Sequence, residues 1–163
     1  VKLQVRLPSS GEDVKEPIEL EPFSGRDAVF FSVEAKLPLG LELTKCEDSG
    51  TLQGAFIVEN VLPGGSAEAS GQILPGDILL ALSVVRDSMN LGMKTEDFIS
   101  SVVGGFGRYR QTLVDATFIN TVEDLVGSMQ SNTVLGLDTT LVLVLERNIS
   151  ANPAPSQELE PMP

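Results

Sequence analysis

The sequence predicts an α+β fold, and three observations carry that prediction. Apolar residues alternate with polar ones, or run on briefly between Gly and Pro, at Val1–Leu7, Val29–Lys36, Gly40–Lys45, Ala55–Val61, Ile78–Leu82 and Thr139–Leu145. That is the pattern of short strands bounded by turns. Apolar residues also return at helical spacing, in Val122, Leu125, Val126 and Met129 and again in Phe98, Ile99, Val102 and Val103. With 163 residues the chain is about the length of one compact domain. The expectation is five to six strands with two helices plus an inserted helix.

Each element has a local reason. Val1, Leu3, Val5 and Leu7 alternate with Lys2, Gln4 and Arg6 up to Pro8, as a half-buried strand that pairs with a sheet edge. Ser9 to Arg26 turns polar and acidic, with Pro17 and Pro22 bracketing Ile18–Glu21, and reads as extended loop with one short strand. An extension over 1–28 is therefore expected to precede a domain over 29–147. Val29–Lys36 and Gly40–Lys45 are two strands joined by the apolar loop Leu37-Pro38-Leu39, and a third follows the turn Glu47–Gly50 at Ala55–Val61. These three are expected in one sheet. Leu62 to Leu82 reads as a short helix stopped by Gly71, a turn at Pro75-Gly76-Asp77 and a buried strand from Ile78 to Leu82.

An insertion over about 84–120 comes next. Thr95-Glu96-Asp97 has the form of a helix cap and acidic first turn, and Gly104-Gly105 ends that helix. Gly104-Gly105-Phe106-Gly107 follows a helix rather than opening one and lacks a Gly-Lys-Ser/Thr ending, so it is not a phosphate loop. Arg108 and Arg110 around Tyr109 read as a solvated loop, with an anion contact as the alternative. Thr121-Val122-Glu123-Asp124 starts the next helix, with Thr121 able to cap it and acidic residues favouring its N-terminus. A β-branched and Leu-rich strand at Thr139–Leu145 closes the domain. Residues 148–163, rich in Pro and Glu, have no core-forming pattern and are expected to be disordered. Asn148-Ile149-Ser150 matches a glycosylation acceptor by chance alone.

Composition excludes several functions. Eleven Lys and Arg against 23 Asp and Glu give a net charge of −12, which repels phosphate backbones, so no nucleic-acid partner is expected. No apolar run approaches the ~20 residues that span a bilayer, so no direct membrane insertion is expected. The chain opens on Val1 rather than Met, and nothing about targeting is read from its start. Cys46 is alone and reads as a plain thiol. With no His, the Ser-His and Cys-His nucleophile arrangements and His-based metal sites are excluded, and no metal or cofactor is expected. The many carboxylates form no pair with a motif context, and the chain is read as a non-enzyme.

Two segments carry a resemblance. Pro38-Leu39-Gly40-Leu41 resembles the Gly-Leu-Gly-Phe carboxylate-binding loop of PDZ domains. Pro63 to Leu79, with Pro63-Gly64-Gly65-Ser66-Ala67, Gly71 and Gly76-Asp77-Ile78-Leu79, matches the second PDZ motif closely. The resemblance spans roughly Val29 to Arg147 and implies a partly open β-barrel or sandwich. The long insertion departs from it, since the family needs only about ten residues before its second helix. Such a fold implies a module that binds the C-terminal peptide of a partner, with an apolar last residue, by strand addition. Backbone N–H groups of Leu39, Gly40 and Leu41 would hold the terminal carboxylate, assisted by Lys36. Leu39, Leu41, Leu43, Val126 and Met129 would form the last side chain's pocket, and Val122 would meet the side chain two positions earlier. The alternative is the substrate-recognition or regulatory domain of a larger protease, whose nucleophile would lie outside these residues. The insertion and the run Gly76–Val85 look most like PDZ domains of plant and algal plastids, which implies a chloroplast location, stromal or thylakoid-associated, with a cytoplasmic one as the alternative.

Overall fold

A computed structural model describes residues 1–8, 14–25, 28–47, 50–87, 109–136, 140–150, 152–155 and 158–162. In chain order the elements are β1 (Lys2–Leu7), β2 (Val14–Glu19), β3 (Ala28–Ala35), β4 (Leu41–Lys45), β5 (Phe56–Val61), α1 (Ser66–Ser70), β6 (Ile78–Asp87), β7 (Tyr109–Asp115), α2 (Val122–Gln130) and β8 (Leu141–Asn148). 3₁₀ segments at Ala116–Phe118 and Ser131–Gly136 flank α2. The fold is α+β: β1 and β2 form a hairpin of their own, and six strands form the main sheet in the order β3-β8-β6-β5-β4, with β7 also on β6. Every pairing among the described residues is antiparallel. No helix among them is long and apolar enough to cross a membrane.

The three strands expected in one sheet are not all neighbours in it. β3, β4 and β5 do share one sheet, but β3 lies at the opposite edge from β4, because the closing strand β8 pairs with it from Ala28↔Asn148 to Ala35↔Leu141. The expected strand Ile78–Leu82 is only the first half of β6. Beyond Ala81 the strand runs on to Asp87 against β7, so Tyr109 and Arg110 are strand residues and not a loop. β5 and β7 occupy the same edge of β6 in succession, with β8 on the other. The inserted helix expected over 95–103, the glycine run 104–107 and Arg108 lie outside the described residues.

The long apolar runs in β6 and β8 follow from a sheet buried on both faces. Leu141, Leu143 and Leu145 face one core with Phe31, Phe56, Leu79 and Leu125, while Val142 and Val144 face a second with Phe30, Ile78 and Leu80. The hairpin covers that second face, burying Leu3, Val5 and Leu7 on it. β1 thus pairs with β2 rather than a main-sheet edge, in register Lys2↔Glu19 to Leu7↔Val14. β2 begins earlier than the expected strand around Ile18–Glu21. It is polar because its partner supplies the ladder, and it tolerates Pro17 as edge strands do.

Two buried polar groups tie the layers together. Glu146, fully buried on the outer face, accepts the backbone N–H groups of Phe23, at 2.8 Å, and of Ser24. On the inner face Arg147 makes a two-pronged pair with Asp77, Nε to Oδ1 and Nη2 to Oδ2, both at 2.7 Å, and also donates to the carbonyls of Gln72 and Pro153. Removing one partner of such a pair costs about 3–5 kcal/mol, because the other charge stays buried alone. The segment after Asn148 carries no helix or strand among the described residues. Even so, the N–H of Leu159 donates to the Phe30 carbonyl at 2.5 Å and that of Met162 to the Lys2 carbonyl at 2.8 Å. This part of the tail is bonded to the edge of β3 and to the hairpin, where the composition alone predicts disorder.

Candidate functional site

An apolar groove of about 550 Å³ opens between β4 and α2, and the Leu37–Gly40 loop closes one end. One wall is β4, where Leu41, Leu43 and Lys45 share a face because strand side chains alternate, while Glu42 and Thr44 point to water. The other wall is α2. Thr121 is its N-cap, accepting the Asp124 N–H at 3.1 Å, as its place in the sequence predicts. Helical spacing then buries Leu125 and Met129 against the core and leaves Val122 half-buried and Val126 44 % exposed over the groove.

The loop is built by two glycines in contact. Gly40 takes φ of +71°, and its Cα lies so close to Gly65 that a Cβ on Gly65 would stand 2.6 Å from it and 2.5 Å from the Leu39 carbonyl oxygen. The close approach lets the segment before and at the start of α1 bond the loop's carbonyls. Ser66 N–H donates to Pro38 O at 3.1 Å, Ala67 N–H to Leu39 O at 3.0 Å and Leu62 N–H to Gly40 O at 2.8 Å. Ser66 Oγ holds the Lys36 carbonyl at 2.5 Å.

All three loop carbonyls are therefore occupied from behind. The Leu62–Gly40 bond also makes the facing pair Leu41↔Val61 a non-hydrogen-bonded one, which turns the Leu41 N–H away from β5. Among the described residues the N–H groups of Leu39 and Gly40 have no hydrogen-bond partner. Among the described residues β4 pairs with β5 alone, so no described strand occupies its other edge beside the groove. The arrangement offers N–H donors at the groove's closed end, a strand edge along one side and apolar side chains beneath.

Of the eight residues singled out in the sequence, Leu39, Gly40, Leu41, Leu43, Val122, Val126 and Met129 line this groove together. Lys36 does not line it; its side chain is exposed just before the loop. Leu39 and Met129 are 6 % and 5 % exposed, so they belong to the core as much as to the groove. The lining also includes Leu37, Leu125 and Gln130. Leu125 was legible in the helical stripe; Gln130, one turn beyond Val126, was hidden by being polar. No family model, curated protein or solved structure matches the chain.

Proposed function

We propose that the chain is a PDZ-like interaction module that captures the C-terminal peptide of another protein in the groove between β4 and α2. The observation that carries the proposal is the loop Pro38–Leu41, where the carbonyls of Pro38, Leu39 and Gly40 are bonded from behind while N–H groups are left to the groove's closed end. A terminal carboxylate supplies the missing acceptors, and charge-assisted bonds of this kind contribute roughly 1.5–3 kcal/mol. The ligand backbone then pairs with the open edge of β4, as in strand addition, and its alternate side chains fall on the apolar floor.

The same geometry supports a ligand class. The last side chain meets Leu39, Leu41, Val126 and Met129, and the side chain two positions earlier meets Leu43 and Val122. Val122 has no hydrogen-bonding atom for a ligand hydroxyl, and each buried methylene gains ~0.8 kcal/mol, so apolar residues are favoured at both positions. Fluorescence anisotropy with matched peptides tests this. A free C-terminus is expected to bind about tenfold or more tightly than its amide. Val two positions before the end is expected to outbind Thr, and Val122→His to reverse that order. Equal affinity of the free and amidated peptides would overturn carboxylate capture, and equal affinity for Val and Thr would remove Val122 from the ligand's path.

A further inference from the structure

We infer that Lys45 selects an acidic residue four positions before the end of the bound peptide, an inference that rests on the peptide-capture reading. Leu41, Leu43 and Lys45 succeed one another on the same face of β4, two residues apart each time. A peptide pairing with the open edge, its carboxylate at the Leu39–Leu41 loop, advances by the same period. If its last side chain lies by Leu41 and the one two earlier by Leu43, the one four earlier lies by Lys45, about 13 Å from the loop. The groove lining ends at Leu43 and Val122 and contains no charged side chain. The first charge met beyond it along this face of β4 is the Lys45 ammonium.

That ammonium is held in place. Lys45 Nζ donates to the carbonyls of Ile119, at 2.5 Å, and Asn120, at 3.0 Å, which lead into the N-cap of α2. It also stands 5.3 Å from the ring centre of Phe56. An ammonium has three protons to donate, and these two bonds use two of them. Both acceptors are neutral, so the charge is uncompensated. Among the described residues no carboxylate lies within ion-pair distance of it, although Glu47 and Glu59 line the recess on its other side. In a chain of net charge −12 a fixed, unpaired cation at the end of an apolar groove is a specificity element. Its position is set before the ligand arrives, so pairing adds little ordering cost on the protein's side.

The probes are eight-residue peptides with a free carboxylate, Val at the last position and two before it, and Glu, Gln or Lys four before it. At low salt the intact protein is expected to bind the Glu peptide about two- to fivefold more tightly than the Gln peptide, with the Lys peptide weakest. The ratio should shrink at high salt. Lys45→Met keeps the stem and removes the charge, so it is expected to bind Glu and Gln peptides alike. Lys45→Arg restores the preference and guards against a mere shift of α2. Equal binding of Glu and Gln peptides by the native protein, or a Glu preference surviving in Lys45→Met, overturns the role of Lys45 and leaves the groove reading intact. Loss of the distinction between free and amidated Gln peptides overturns the groove reading itself.

Discussion

The main sheet presents two apolar faces, and the surroundings of its end strands β3 and β4 differ. On one face the hairpin β1–β2 buries Leu3, Val5 and Leu7 against Val142 and Val144, and the neighbouring edge strand β3 receives the Leu159 N–H. On the other side α2 covers the core with Leu125 and Met129 but stands far enough from β4 to leave a groove and an unpaired strand edge. An open edge invites unwanted pairing, and natural proteins keep such strands short and charged. β4 fits that description, with five residues including Glu42 and Lys45. The tail reaches the edge of β3 through one backbone bond, whereas no described strand pairs with the outer edge of β4. That β4 edge is flanked by the unbonded N–H groups of Leu39 and Gly40 and by an apolar floor.

The comparison breaks most visibly with one truncation on each side. Leu3→Ala removes a fully buried side chain from the outer face and should cost about 2–5 kcal/mol of stability. Peptide affinity should stay unchanged as long as the protein is folded. Val126→Ala, at a side chain 44 % exposed, should change stability by less than about 1 kcal/mol. It should weaken an apolar-ended peptide by about three- to tenfold. Urea denaturation and anisotropy on both variants give the four numbers. If Leu3→Ala left stability unchanged, the hairpin would be an appendage and not the cover of a second core; if Val126→Ala left affinity unchanged, the ligand would not touch α2.

A pair of glycine substitutions sharpens the same contrast with a smaller effect. Gly65→Ala places its Cβ 2.5 Å from the Leu39 carbonyl, so the loop must shift, at a cost of about 1–3 kcal/mol. Affinity for a free carboxylate should fall with it. Gly127, in the middle of α2, has nothing within 4 Å of an added Cβ. Gly127→Ala should therefore stabilise the protein by roughly 0.5–1 kcal/mol. Unaltered carboxylate affinity in a folded Gly65→Ala variant would mean that the loop's shape does not matter to binding.

How far the sequence reveals this arrangement depends on whether a residue's role is local. Thr121 caps α2 and Gly71 ends α1 because capping needs only the neighbouring turn, so both are visible in the chain itself. Seven of the eight expected groove residues meet for a similar reason: loop, strand and helical stripe each display them by short-range periodicity. Strand order is not local. Nothing in Val29–Lys36 says that its partner is Leu141–Asn148 and not the adjacent strand, since both pairings bury the same alternation. The first half of β2 is not legible because Lys15, Glu16 and Pro17 carry no apolar pattern, and it exists through its partner β1. The tail after Asn148 likewise is ordered where described by single backbone bonds and by Leu159 on the outer core, which a compositional reading cannot weigh.

The smallest effect distinguishes what holds the helix from what the helix holds. α2 is fixed from below by Leu125 and Met129 and at its start by two devices: the Thr121 cap, and Lys45 bonded to the carbonyls just before it. Thr121→Ala removes one bond to an orphan N–H and should cost about 0.5–2 kcal/mol. Because the buried residues lie later in the helix, the loss should appear as fraying of the first turn, which carries Val122. Amide exchange should then quicken at Asp124, whose N–H the cap receives, and not at Met129. Affinity should fall for a peptide with Val two positions before its end and hold for one with Ala there, since only the former depends on Val122. A stability change within error of zero, with exchange unaltered, would mean that the Lys45 bonds alone set the helix start. In that case Thr121→Ala combined with Lys45→Met should lose no more than Lys45→Met alone, whereas a loss greater than the sum of the two would show the cap and the Lys45 bonds to be redundant.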